Sequence, residues 1–500
     1  MHKFSAAFLG LLLLTSSARP AGEATGKVVL DLWDAAFLQG ARTGFVRTTV
    51  REYDLPGGKI FRASVELNLT LKRFKDTIQL KAITGTDETP DGKVVGVFMR
   101  QQLGPSKTLV VTGKVEGKQL ILMLDGKHPM QPAPWDDRVV GLYRQQRMFQ
   151  ERKVKPGDRF AYPSFEPTVN LVVTTNVQVK DYEEVDVLGG KKKKRLLRVE
   201  ATPDKIENVQ LPTLTAWLGD DLTVQRSRVE VPGLGQLTLY RGTREQALTP
   251  AELAKLDDVG LSQLVNLNKR LPQDLNTARA VYRIRIKGEE DVATTFARDE
   301  RQVVKNVKGD TCEIHVRASR GPKEESGPAK VGAEFTQSSY FITSDDSKVK
   351  EHARRAVGSE RDAWKKALRI EKWVHEHMKA TNVEALATAD HVARTLEGDC
   401  TEYAMLTAAM CRAEGVPSRT AIGLVYAVVK GRPVMAFHMW TEVLVRGQWI
   451  PLDATLGRGH VGASHLKITD ASWHNRRDLA PLLPVVRVLG KMSIEVLESQ

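Results

Sequence analysis

Phe61, Ala63, Val65, Leu67, Leu69 and Leu71 alternate without a break with Arg62, Ser64, Glu66, Asn68, Thr70 and Lys72. Helical side chains repeat about every 3.6 residues, so a period of two over this length commits the segment to a long strand with one buried face. Turn chemistry recurs on either side, at Pro56-Gly57-Gly58, Pro90-Asp91-Gly92, Glu116-Gly117 and Pro156-Gly157-Asp158. From about Lys27 to Gln246 the chain reads as a large antiparallel meander, curled towards a half-barrel. We expect one β-rich domain over residues 25–270. No motif in it carries chemistry, which leaves a scaffold or a platform for a ligand or partner.

Pro250 to Arg270 reads as helical linker material, and "ARAVYRIRIKG" opens a second strand-rich segment, expected over 278–345. In "GDTCEIHVRA" Cys312 alternates with Ile314 and Val316 and faces inward as a packing residue. "GPKEESGPAK", from Gly321 to Lys330, reads as an exposed loop. After Asp345 the period changes. Val349, Ala353, Ala356 and Val357 mark one helix, and Trp364, Leu368, Trp373, Val374 and Met378 a longer one. Strands from Arg419 to Thr455 follow them, so residues 346–500 form an α+β unit. The fold class is multidomain, with N-terminal antiparallel all-β regions followed by this α+β core.

With 41% hydrophobic and 27% charged residues among 500, the chain is neither disordered nor fibrous. It opens Met-His-Lys, runs apolar from Phe4 to Leu14 and turns small through Thr15 to Ala18. That order predicts a signal peptide over 1–18, with cleavage as late as 24, and an exported protein, periplasmic or extracellular. No later run is long and apolar enough for a transmembrane segment. Three cysteines are too few and too odd in number for a disulfide scaffold. The net charge of +13 suits an anionic envelope polymer, while nothing points to specific nucleic-acid binding. The densest basic run, Lys191 to Arg195, follows Gly189-Gly190 between two strand-like segments and reads as a solvated hairpin tip. Oligomeric state has no signature.

Chemistry concentrates in "EGDCTEYAMLTAAMCRAEGVPSR", Glu397 to Arg419. Asp399 is a good N-cap, Glu402 completes a D-x-x-E capping box, and Gly415 with Pro417 stops the helix. Cys400 therefore takes the first helical position, where unpaired amides and the helix dipole favour thiolate. Asp399 and Glu402 oppose that charge, so a reactive thiol needs an imidazolium beside it. Cys411 lies three turns on, about 16 Å away at ~1.5 Å per residue, and cannot bond to Cys400. It reads as a core thiol.

"VMAFHMWTEVLVRGQWIPLDAT", Val434 to Thr455, supplies the imidazole. It reads as two strands joined at Arg446-Gly447, with His438, Trp440 and Glu442 on one face of the first. A two-residue hairpin pairs Val445 with Gln448 and brings Asp453 diagonally beside His438. Cys400, His438 and Asp453 are then a candidate catalytic triad, with the Cys400 backbone N–H as one oxyanion donor. His460 and His465 fall in a Gly-rich stretch and read as loop residues, the alternative being that one of them lines the cleft. No metal or other cofactor is expected: no acidic loop suits calcium and no cysteine accompanies those histidines for zinc.

These two stretches, with their order and spacing, resemble the core of the transglutaminase-like superfamily of papain-like thiol enzymes, over about Lys348 to Gly462. The resemblance implies a papain-like fold and assigns the triad to Cys400, His438 and Asp453. It implies attack on a peptide or glutamine-type amide to give a thioester, which water or an amine resolves. Thr401 stands where cross-linking members carry tryptophan, which turns the expectation towards hydrolysis of a peptide or protein substrate. The competing reading is an envelope polymer- or lipid-binding protein whose transglutaminase-like part is a silent scaffold; its support is the size of the motif-free β region.

Overall fold

The computed structural model describes residues 26–500 apart from 74–75, 103–107, 168, 190–192, 207–208, 324–330, 382–386 and 475–479. The expected signal peptide lies outside the described residues, as do parts of the Lys191 run and of the Gly321 to Lys330 loop. Among the described residues no helix is long and apolar enough to cross a membrane.

The alternating segment is the strand Gly58–Arg73, whose Ala63, Leu69 and Leu71 are buried. It pairs with Ala41–Leu55 on one side and Asp76–Glu88 on the other, within a 15-stranded antiparallel sheet. The first strand, Lys27–Leu38, sits in mid-sheet between Ala41–Leu55 and Gly235–Gly242. One arm of the meander runs outward from it to Gln119–Leu124, and the other arrives from Arg159–Glu166 through successive neighbours. The far ends of the two arms approach each other: Val140 N–H donates to the Pro163 carbonyl at 2.8 Å, and Trp135 packs on Phe165. Twist accumulated over so many strands produces this curl. The strands flanking the Lys191 run pair antiparallel, with Val185 opposite Lys194.

The helix Leu142–Arg152 starts at Gly141, which has no capping side chain. Glu88 takes over that work from the sheet, accepting the Tyr143 and Arg144 amides at 2.8 and 3.2 Å. Thr86 Oγ1 accepts the Leu142 amide at 2.9 Å. Burial pushes the Glu88 carboxyl up in spite of these donors.

Pro250 to Arg270 is mostly not helical. Asp258 caps a single turn, Val259–Ser262, and Val265–Asn266 then joins a sheet edge opposite Met435 and Val434. Leu267 and Leu271 are buried beside Tyr282 and Ile284, so tertiary packing overrides the local helical tendency. The strands Arg279–Ile286, Gln302–Lys308 and Thr311–Arg317 form a second sheet, completed by Met492–Ser499. Main-chain pairing thus crosses residue 345, where the sequence drew a boundary. Cys312 points into this core with Ile314 and Val316, and burial pushes its thiol up to about 11.

Beyond it, Asp346 and Asp362 cap the helices Ser347–Val357 and Ala363–His377. The second helix buries Ala367, Ile370, Glu371 and Val374, while Trp364, Leu368 and Trp373 pack at its flank. The helix Cys400–Ala413 is buried along almost its whole length, with Cys411 fully enclosed. It packs on a sheet ordered Val265–Asn266, Arg432–Val445, Ser418–Val429 and His465–Ala471, with Gln448–Leu452 added beside Arg432–Val445.

Candidate active site

The capping box forms as the spacing requires. Asp399 Oδ1 accepts the Thr401 amide at 2.9 Å, and Glu402 reaches back to accept the Asp399 amide at 2.9 Å. Glu402 also accepts the Ala387 amide at 2.9 Å from inside the protein. Burial, with Asp399 nearby, pushes its carboxyl up to about 8. Cys400 is the first helical residue and keeps part of its surface open to solvent. All three cysteines are free.

The partner strands join at Arg446 and Gly447, both at positive φ, and Val445 pairs with Gln448. This is the primed turn geometry that matches strand twist. The register carries Thr441 opposite Leu452, so Asp453 leaves the second strand level with the end of the His438 side chain. His438 Nε2 lies 2.7 Å from Asp453 Oδ2. The other side of the ring is hydrogen-bonded to Cys400, whose sulfur also accepts the Met439 N–H. The three residues singled out in the sequence therefore meet.

Their charges are set by burial and by one another. Burial alone would favour a neutral His438, but Asp453 and Cys400 outweigh it and hold the imidazole well above the usual histidine range. Burial likewise opposes the Asp453 carboxylate, and its imidazole donors win, leaving it well below the usual carboxylate range. Burial and Asp399 push the Cys400 thiol up, against the pull of His438 and the Met439 amide. Arg73, at the end of the Gly58–Arg73 strand of the large sheet, pairs with Asp399 at 3.0 Å. A cation from the N-terminal half thus sits one residue from the thiol.

Two further buried groups join the site, one read as a loop residue from sequence and one not singled out there. His465 is not a loop residue: it opens the strand His465–Ala471, is 1% exposed, and places Nε2 3.0 Å from Asp453 Oδ2. Glu371 approaches from the Ala363–His377 helix, and its Oε1 accepts the Asp453 and Gly459 amides at 3.3 and 3.1 Å. Burial pushes Glu371 up to about 7, with Asp453 adding to the rise. His460 stays on the loop, bonded to the Arg458 carbonyl and Asn276 Oδ1. Farther along the sheet, Lys467 Nζ pairs with Glu442 at 2.7 Å and Asp470 at 2.8 Å, and Arg419 closes the network at 2.8 and 2.9 Å.

His438, Asp453 and His465 are the described residues whose ligand atoms could converge on a metal ion, all within 4.8 Å. Both Nε2 atoms, however, already lie at hydrogen-bond distance from a single carboxylate oxygen. That donor set is satisfied internally and suits acid–base work better than ligation.

Residues 350–454 match the transglutaminase-like superfamily. Among solved structures, the chain is similar to a candidate cysteine protease from Cytophaga hutchinsonii, at 16% identity over 45% of this chain and 85% of that one, TM-score 0.30. It is similar to a β-barrel-like protein of a domain of unknown function from Brucella abortus, at 12% identity over 44% of this chain and 98% of that one, TM-score 0.33. A candidate protease from Parabacteroides distasonis shares 11% identity over 76% of this chain and 69% of that one, TM-score 0.19. Comparison with curated proteins returned no match.

Proposed function

We propose that this chain, with a transglutaminase-like core at residues 350–454, is an exported cysteine-dependent acyl-transfer enzyme that hydrolyses peptide or glutamine-type amides. The observation that carries the reading is the placement of His438 between Cys400 and Asp453 in one hydrogen-bonded chain, with only the cysteine open to solvent. Cys400 Sγ attacks the amide carbonyl carbon while His438 holds the proton the thiol has given up. The carbonyl oxygen becomes an oxyanion, and the Cys400 amide, at a helix start where it lacks an intrahelical partner, donates to it. The C–N bond then breaks, His438 passes its proton to the leaving nitrogen, and a thioester remains on Cys400. Water attacks the thioester with His438 as base, and the acid product and free thiol are restored. Asp453 keeps the His438 tautomer that points its other nitrogen at sulfur.

Hydrolysis is favoured over cross-linking because Thr401, not tryptophan, follows the nucleophile. The basic surface would assist an anionic envelope setting. The test is mature protein incubated with a peptide library, with and without a primary amine, and read by mass spectrometry. Cleavage or deamidation products are expected from the wild type and none from Cys400→Ala, and iodoacetamide should label Cys400 well before Cys312 and Cys411. Equal, slow labelling of all three cysteines, or products that survive Cys400→Ala, would refute the assignment.

A further inference from the structure

We infer that His465 is a positioning residue: its Nε2–H locks the Asp453 carboxylate in the orientation that serves His438. The inference rests on the proposed acyl-transfer reading and adds a fourth member to its site.

A carboxylate oxygen only accepts, so both imidazole nitrogens facing Asp453 Oδ2 must carry protons. His438 donates at 2.7 Å and His465 at 3.0 Å to that one atom. The other oxygen, Oδ1, accepts the Thr455 amide at 3.0 Å. Three donors from three separate segments thus leave the carboxylate no freedom to rotate. His465 is itself fixed. Its Nδ1 lies 3.2 Å from Ser464 Oγ, whose hydroxyl also reaches the Leu275 carbonyl at 3.4 Å, and burial pushes the ring down to about 4 and so keeps it neutral. Its ring meets Trp440 edge-on at 5.3 Å and stands 5.9 Å from His438 at 60°. Arg301, the charged group packed behind, holds the His465 carbonyl at 3.2 Å and so anchors the main chain.

A neutral donor is suited to this place. It satisfies the second lone pair of a buried carboxylate without adding a charge that would compete for its negative field. With His438 as sole donor, Oδ2 would be under-satisfied in a dry site, and the carboxylate would turn towards whatever donor or water entered. The His438–Cys400 geometry would loosen with it. Support shells of this kind are worth about 10- to 100-fold where they have been dissected in metal sites.

The test compares His465→Leu, which removes the donor, with His465→Gln, whose side-chain amide N–H reaches the Nε2 position. Two readouts are taken at fixed pH on the full chain: the rate of Cys400 alkylation by iodoacetamide, and kcat and KM on a cleaved peptide. The Leu variant should lose about 10- to 100-fold in alkylation rate and kcat with KM little changed, and the Gln variant should recover most of both. Should the Leu variant not fold, His465→Asn, whose shorter amide falls short of Oδ2, takes its place. Wild-type rates in the donor-less variant, or equal losses in the donor-less and Gln variants, overturn the inference while leaving the nucleophile in place. A wild-type protein with no selective labelling of Cys400 instead refutes the underlying reading.

Discussion

Glu371→Gln tests the buried carboxyl behind Asp453. In the folded protein Glu371 titrates near 7 instead of the ordinary 4.5, chiefly because burial penalises its charge. The folded state therefore holds this proton more tightly than the unfolded chain does. Between pH 4.5 and about 7 folding binds the extra proton, so the stabilising share is complete below 4.5 and is lost as pH rises towards 7. The gap, at about 1.4 kcal/mol per pH unit, comes to roughly 3 kcal/mol. Gln has nearly the same shape and keeps an oxygen for the Asp453 and Gly459 amides, but it has no charge to desolvate. Near pH 4.5 the two proteins should be equally stable; at pH 8 the Gln protein should be the more stable by up to roughly 3 kcal/mol. Urea unfolding at both values, followed by tryptophan fluorescence, reads the difference, since Trp364 and Trp373 lie on the Glu371 helix. A stability difference that does not change between pH 4.5 and 8 would refute the argument that burial of this carboxyl is what couples the helix to pH.

Two other perturbations probe contacts far apart in sequence. Arg73→Ala leaves Asp399 without its cation, one residue from Cys400, and the Cys400 alkylation rate at neutral pH should fall a few-fold; the pair is partly exposed, so a larger loss is not expected. A rate unchanged at low ionic strength would show that Arg73 has no electrostatic hold on the thiol. Glu88→Ala strips the acceptor from two amides at the start of Leu142–Arg152 and should cost about 1–3 kcal/mol for each group left unsatisfied. Hydrogen exchange should then quicken in the first turn of that helix before the neighbouring strands, and uniform protection would count against the capping role.

What could be read from sequence was what local geometry controls. The Asp399–Glu402 box and the Arg446–Gly447 turn each fix a conformation within a few residues, and together they determine where Cys400, His438 and Asp453 point. His465 was hidden because its strand, "HLKITDA", is buried through its first four residues and lacks the alternation that marks a half-exposed strand. The glycines just before it made a loop the natural reading. Glu371 did leave a trace: Ala367, Ile370 and Val374 define an inward stripe, and a carboxyl on that stripe has to find donors. Taking the tryptophans as the centre of the buried face moved attention to the flank. The Arg73–Asp399 pair had no local signal at all, since it depends on how the large sheet lies against the helix.

The mid-sheet position of Lys27–Leu38 sets an order of events in folding. Ala41–Leu55 can zip to it at once, as a hairpin. Its other edge has to wait until Gly235–Gly242 exists, because Trp33 finds its partner in Gly242 and Leu38 in Leu237. Until then an open strand edge persists at the centre of the largest sheet, the kind of surface that recruits other chains. Closing so distant a pair is slow. The first described strand is thus among the last to be sealed, and it belongs to the large sheet and not to the part that carries Cys400.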